Sequence, residues 1–259
     1  MRSQPDLSII VPAYNEELRL EATVRAYLDH LRGAERSVEL IVVDDGSTDG
    51  TSLLVERLTA AYPELRLIRL AENRGKGYAI RTGVVNARGR AILFADADGA
   101  TPITELGRLE DALGQGTDIA IGSRAMHGDG VRVRTRLYRR VIGRAFHLLV
   151  ETLAVRGIQD TQCGFKLFRA PVGHDLFSRM RMDGFSFDVE VLMLAQRRRY
   201  TIAEVPVNWT HQPGSKVNLA VDSLRMALDL VVIRVRGLSG EYDEPHLAAW
   251  AQSDPVRSF

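Results

Sequence analysis

Apolar runs of strand length alternate with stretches of helical spacing through the first 125 residues. The runs are Leu7–Val11, Val38–Val43, Leu65–Leu70, Ala91–Ala95 and Asp118–Ile121. Between them, Glu17 to Leu31 carries Leu20, Val24, Tyr27, Leu28 and Leu31 on one helical face. Leu54, Val55 and Leu58 follow a capping Asp49 or Thr51, and further helices span about Gly77 to Ala87 and Thr104 to Leu113. Such alternation requires βαβ crossovers, hence an α/β fold with a mostly parallel sheet covered on both faces. In such sheets ligands bind beyond the carboxyl ends of the strands. Each run here ends in a polar or glycine-bearing loop: Pro12-Ala-Tyr-Asn-Glu16, Asp44-Asp-Gly-Ser47, Asn73-Arg-Gly-Lys-Gly77, Asp96-Ala-Asp98 and Gly122-Ser-Arg124.

The pattern changes after residue 125. Arg132 to Arg144 holds six arginines, and Arg132, Arg136, Arg139 and Arg140 gather on one helical side, either as a solvated face or as a site for an anionic surface. Phe146 to Val155 is an apolar helical run, Asp160 to Lys166 a loop or short strand, Phe187 to Arg197 helical and Thr201 to Val207 extended. Val217 to Arg236 is amphipathic, with a narrow polar stripe of Asn218, Asp222, Arg225, Asp229 and Arg236; its wide apolar face belongs in a core or a membrane interface. Residues 238–259 lack periodicity and read as a tail.

Composition narrows the class. With 45% apolar and 26% charged residues the chain is neither disordered nor fibrous, and a net charge of +1 argues against a general nucleic-acid binder. Cys163 is the only cysteine, so no internal disulfide forms; this suggests a reducing, cytoplasmic location. Met1 to Asp6 is polar, unlike a signal peptide, and no apolar stretch reaches 18 residues. Only three basic residues are lysines, Lys76, Lys166 and Lys216; each either marks a place needing a compact point charge or reflects codon drift alone.

Asp96 and Asp98, one residue apart at a strand end, can share a hard divalent cation, Mg²⁺ or Mn²⁺, with a diphosphate. The Asp44–Asp45 pair offers a carboxylate to the N–H of a uracil or guanine ring, or caps the following turn. Arg74 and Lys76, with Gly75 and Gly77, can approach phosphate or base. Neither a P-loop nor a dinucleotide fingerprint follows the first strand.

Ser8 to Glu16, Val43 to Asp49 and Phe94 to Asp98 resemble the inverting glycosyltransferases of the GT-A, family 2 type. Gly157 to Phe168, Phe187-Asp-Val-Glu190, Val205 to Thr210 and Gly214-Ser-Lys216 are similar to the dolichyl-phosphate β-glucosyltransferases and their prokaryotic polyprenyl-phosphate relatives. The likeness runs from about Leu7 to Leu238. It implies a GT-A fold with C-terminal acceptor- and membrane-associating helices: residues 1–125 as the nucleotide-sugar half and 126–237 as the acceptor half. The eukaryotic members resembled carry an N-terminal membrane anchor that this sequence does not show.

By that resemblance Asp45 would contact uracil in a pocket of Pro12, Ala13 and Tyr14. Asp96 would contact ribose, Asp98 would bind the metal, and Arg74 and Lys76 would lie beside the nucleotide, with Glu16 and Ala97 in the same binding set. Lys216 would meet the leaving diphosphate. Asp160 would orient the nucleophile or act as base, or simply cap a turn. Gln162 and Lys166 would contact sugar or phosphate, and Arg124, Arg136, Arg139 and Arg140 would position the acceptor. Asp188 and Glu190 would close over the sugar, with helix capping by Asp188 as the competing role. Cys163 is a packed side chain rather than a nucleophile.

The implied reaction moves glucose from UDP-glucose to a dolichyl or polyprenyl phosphate, at the cytoplasmic face of a membrane to which the protein binds peripherally. The competing readings are a GDP-mannose-dependent polyprenyl-phosphate mannosyltransferase and a family 2 enzyme with a soluble acceptor.

Overall fold

The computed structural model describes residues 4–33, 36–128, 130–134, 148–212, 219–246 and 257–258. The strands are β1 (Leu7–Ala13), β2 (Val38–Asp44), β3 (Leu65–Arg69), β4 (Ala91–Ala95), β5 (Ile119–Ser123), β6 (Val133–Arg134), β7 (Phe165–Arg169), β8 (Ile202–Pro206), β9 (Trp209–Thr210) and β10 (Arg257–Ser258). The helices are α1 (Leu20–Arg32), α2 (Thr51–Thr59), α3 (Lys76–Asn86), α4 (Leu106–Gly114), α5 (148–153), α6 (Ala170–Arg179), α7 (Phe187–Arg197) and α8 (Leu219–Ser239).

The main sheet runs β10-β3-β2-β1-β4-β7-β5-β8, and β6 pairs with β9 in a separate parallel ribbon. Only β7 and β10 oppose the common direction. Strand alternation divides the core into two layers. Ile9, Val11, Leu40, Val42, Leu93 and Leu167 pack under α1, α2 and α4. Ile10, Ile41, Val43, Phe94, Ile121 and Phe168 pack under α3, α6 and α7.

Two features were not visible in the sequence pattern. The first is β7, which runs antiparallel between β4 and β5, pairing Phe94 with Lys166 and Ile121 with Lys166. Because β7 points the other way, its first residues lie where the parallel strands end. The loop 160–164 is thereby carried to the ligand edge. The second is the C-terminal segment. The expected tail from 238 departs from the structure: α8 continues through Ser239, and Tyr242 is buried at 2% exposure. An aromatic ring inserted between α6 and α7 carries no periodic signature, so a pattern-based reading misses it. Within α8, Met226, Leu230 and Ile233 are buried, while Leu228, Val231, Val232, Val235 and Leu238 form an exposed apolar stripe. Asp229 of the expected polar stripe turns inward and accepts the Ser186 hydroxyl at 2.6 Å.

Candidate active site

The ends of β1, β2 and β4, the loop before α3 and the loop before β7 meet at one edge of the sheet. Asp45 N–H donates to Ala13 O at 2.8 Å, joining the first two loops. Asn15, in the left-handed region at φ 52°, accepts the Thr48 N–H at 2.8 Å, and its own N–H donates to Ser47 Oγ at 2.8 Å. Beside it Tyr14 is exposed and Ala13 buried. Glu16 is engaged locally: its carboxylate accepts Arg19 at 2.7 and 2.8 Å, and its N–H donates to Thr51 Oγ1 at 2.8 Å.

The two aspartates ending β2 have separate tasks. Asp44 is fully buried and structural, accepting the Ser47 N–H at 2.9 Å and the Ser52 hydroxyl. Asp45 accepts the N–H groups of Arg74 at 2.8 Å and Gly75 at 2.9 Å, which holds the Arg74–Gly77 loop across the strand ends. Burial pushes the Asp45 carboxyl up to about 6 against the pull of those two amides. Asp49, just before the N-cap Gly50 of α2, accepts the Thr51 N–H at 2.9 Å.

At the end of β4, Asp96 Oδ1 lies 2.6 Å from Lys76 Nζ. Burial alone would depress the Lys76 ammonium; the carboxylates of Asp96 and Asp188 outweigh it and hold the group above its ordinary value. Asp98 Oδ1 accepts the Ala100 N–H at 3.0 Å, and its second oxygen takes no hydrogen bond among the described residues. Burial, then the Asp96 charge, raises the Asp98 carboxyl above the ordinary range. Two hard oxygen donors in a half-enclosed site, one with an oxygen to spare and both strained by mutual repulsion, suit a divalent cation whose shell a diphosphate and water complete. No group of three or more His, Cys, Asp or Glu is gathered for a metal among the described residues. A Cβ on Gly164 would fall 2.0 Å from Asp96 Oδ2, so any larger residue there would displace this carboxylate.

Asp160 sits in that loop and is buried. Its oxygens accept Arg124 Nε at 2.7 Å, Arg124 Nη2 at 2.8 Å and the Arg124 N–H at 2.8 Å. Burial would raise the Asp160 carboxyl, but the Arg124 guanidinium and amide overcome this and leave it below the usual carboxylate range. Arg124 in turn lies over the Trp209 ring, 5.5 Å from its centroid. Thr210 N–H donates to Ala100 O at 2.9 Å, which ties this corner to the Asp96–Asp98 loop.

Residues 8–177 match the model of the family described as glycosyl transferase family 2. The chain belongs to this family. It is 42% identical over 246 residues to dolichyl-phosphate β-glucosyltransferase of Dictyostelium discoideum, covering 90% of this chain and 75% of that one. Against the Homo sapiens protein of the same name it is 42% identical over 250 residues, covering 91% and 77%. The glucosyl-3-phosphoglycerate synthase of Mycobacterium tuberculosis in complex with UDP shares the fold, with a TM-score of 0.65 at 21% identity over 93% of this chain and 81% of that one. A second structure of that synthase, in complex with Mn²⁺, UDP and glucosyl-3-phosphoglycerate, superimposes with a TM-score of 0.64 at 20% identity, covering 93% of this chain and 81% of that one. The protein is thus a glycosyltransferase with a GT-A-type α/β fold.

In this glycosyltransferase several expected ligands are turned inward. Lys166 is 1% exposed; its ammonium donates to Cys163 O at 2.7 Å and to Asp188 Oδ1 at 2.5 Å, and lies 5.0 Å from the Phe94 ring centroid. The strand register forces this, because Lys166 shares a face with Phe94 and Phe168 over the α7 layer. Asp188 therefore acts as counter-ion rather than helix cap, and no side chain caps α7. Glu190, fully buried, spends its oxygens on the Arg181 and Met182 N–H groups at 3.0 and 2.8 Å and on the Tyr242 hydroxyl at 2.6 Å. It does not reach the carboxylate edge: one helix places Asp188 and Glu190 two residues apart, on different sides. Gln162 Nε2 points to Met226 Sδ at 3.8 Å. Cys163 is buried, and burial pushes its thiol up to about 12, which makes it inert packing. Lys216, Arg136, Arg139 and Arg140 lie outside the described residues.

Sequence reading missed Thr23, whose hydroxyl donates to Ala97 O at 2.8 Å and moors the Asp96–Asp98 loop to α1. It missed Tyr27 of the same helix, whose phenol is raised by burial and by the charges of Asp96 and Asp98. Both look like ordinary members of an amphipathic helix. Trp209 stood inside a quoted motif, but nothing local linked it to Arg124.

Proposed function

We propose that the protein transfers glucose from UDP-glucose to a dolichyl or polyprenyl phosphate, inverting the anomeric centre. The observation that carries this reading is the strand-edge carboxylate pair Asp96–Asp98 beside the Asp45-held Arg74–Gly77 loop, in a chain 42% identical to dolichyl-phosphate β-glucosyltransferases. Pro12, Ala13 and Tyr14 would wall the uracil site, with Asp45 as acceptor for the ring N–H. Arg74 and Lys76 would flank the nucleotide.

Asp98, with Asp96, would hold Mg²⁺ or Mn²⁺, which when bound offsets the charge of the departing diphosphate. Lys216 would add a second cation there. An acceptor phosphate is already anionic near neutrality, so the displacement needs an aligned oxygen more than a strong base. Asp160 supports this: its lowered proton affinity and three bonds to Arg124 suit it to aim the guanidinium at an anionic acceptor. Arg136, Arg139 and Arg140 would extend that basic surface.

No described helix is long and apolar enough to cross a membrane. The exposed stripe Leu228, Val231, Val232, Val235 and Leu238 would lie in the interface at the cytoplasmic face, where a polyprenyl phosphate resides. UDP-glucose, GDP-mannose and other nucleotide sugars tested against a short polyprenyl phosphate and a soluble phosphorylated acceptor decide the matter. Metal-dependent UDP release with UDP-glucose and the lipid is the expected result. Faster turnover with GDP-mannose, or with the soluble acceptor, overturns the assignment.

A further inference from the structure

The Arg74–Gly77 loop rests on a segment far away in sequence. Tyr78 N–H donates to Asp183 O at 3.2 Å, and Arg81 donates to Met180 O at 3.0 Å and to Asp183 Oδ1 at 2.7 Å. The approach is close. A Cβ on Gly75 would fall 2.5 Å from Asp183 O, and one on Gly77 2.5 Å from Met182 O. Gly75 also holds φ 105°. Wherever the carbonyls of Met182 and Asp183 sit, the start of α3 and Lys76 must follow.

Those carbonyls belong to an irregular stretch between α6 and α7, and the bracket that fixes it is Glu190. One carboxylate oxygen accepts the Arg181 and Met182 N–H groups, and the other accepts the Tyr242 hydroxyl at 2.6 Å. Tyr242 comes from beyond α8 and is buried. Arg179 binds the carbonyls of Tyr242, at 3.1 Å, and of Asp243, which locks the ring's backbone to α6. A buried carboxylate with three donors has one orientation, and deleting a donor frees it.

We propose that Tyr242 is a positioning residue for the nucleotide loop: through Glu190 its hydroxyl fixes the 181–183 backbone on which Gly75, Gly77 and Tyr78 rest. The inference depends on the reading of that loop as nucleotide-contacting, and deepens it by giving the segment after α8 a part in donor binding.

The test uses the full chain with Tyr242→Phe, which keeps the ring and removes the donor. Amide hydrogen exchange is followed over residues 73–82 and 180–184, and UDP is titrated in the presence of Mn²⁺. Exchange in both segments is expected to rise while β1 and β2 stay protected, and UDP affinity to fall about three- to tenfold. The kcat at saturating donor is expected to change less than twofold. Glu190→Gln, which still offers one acceptor to the backbone amides and one donor to Tyr242, is expected to keep wild-type exchange at 73–82, unlike Glu190→Ala.

Unchanged exchange at 73–82 in a folded Tyr242→Phe overturns the proposal. So does a uniform rise over the whole chain, or a Glu190→Gln variant that behaves as Glu190→Ala. A wild type that binds no UDP refutes the nucleotide reading instead, and the exchange comparison still decides the bracket.

Discussion

At the carboxyl end of β4, Asp98 keeps one oxygen without a hydrogen bond among the described residues, and Asp96 is met by Lys76 at the start of α3. Close by, the charged groups of the second half are closed into pairs: Asp160 with Arg124, Lys166 with Asp188, Glu190 with two amides and a phenol. All of these residues stand in motifs, and type alone does not separate them. What separates them is strand direction. Parallel strands deliver their last residues to the open edge, whereas antiparallel β7 and α7 set Lys166 and Asp188 in the layer between sheet and α7; the Asp160–Arg124 pair stays in the loop that β7 carries to the edge. A buried charge left single is so costly that the second-half charges must be mutually satisfied. A carboxylate pair that would hold a cation, as proposed for Asp96 and Asp98, can remain strained.

The largest expected effect is at the open pair. Asp98→Asn should cost several kcal/mol of transition-state stabilisation, about a thousandfold in turnover, with the melting temperature held or raised by relief of the Asp96 repulsion. Near-normal turnover at saturating Mn²⁺ would break the contrast between the two regions.

The closed pairs should respond in stability. Lys166→Met alone should lose about 3–5 kcal/mol in denaturant unfolding, because it strands Asp188, and adding Asp188→Leu should restore most of it. A single variant that unfolds like wild type yet fails to transfer sugar would return Lys166 to the sugar site.

A smaller, pH-dependent effect is expected at Asp45. With its carboxyl near 6, the anion that would accept a ring N–H predominates at pH 7.5 and is lost as pH falls. UDP affinity should therefore drop about tenfold by pH 5 beyond any change shown by Asp45→Ala, since one pH unit below the midpoint leaves roughly a tenth of the anion. Identical pH profiles for the two proteins would reduce Asp45 to a loop anchor.

The smallest effect concerns the link between regions. Asn208 accepts the Arg132 N–H at 2.8 Å and donates to Glu105 at 2.7 Å, next to the Thr210–Ala100 bond. Asn208→Ala should raise the acceptor KM about threefold and leave UDP affinity unchanged, in keeping with the loss of ordinary hydrogen bonds. Equal losses toward both substrates would show that the regions do not act separately.

Apolar runs of strand length alternating with helical spacing determined the class of fold and the edge of the sheet where the candidate site lies. It did so because each layer must bury one face, and parallel crossovers put every strand's end on the same side. The Asp45, Arg74–Gly77 and Asp96–Asp98 loops were legible for that reason. Tertiary structure alone decided that β7 runs backward, so that Lys166 is a core ion pair and Gly164 a seat for Asp96. It alone decided that Asp160 spends its charge on Arg124, that Glu190 holds the 181–182 amides and the Tyr242 hydroxyl, and that Tyr242 is buried. Each of these depends on a partner 22 residues or more away, and neither spacing nor composition records which distant group will meet a polar side chain once the layers close.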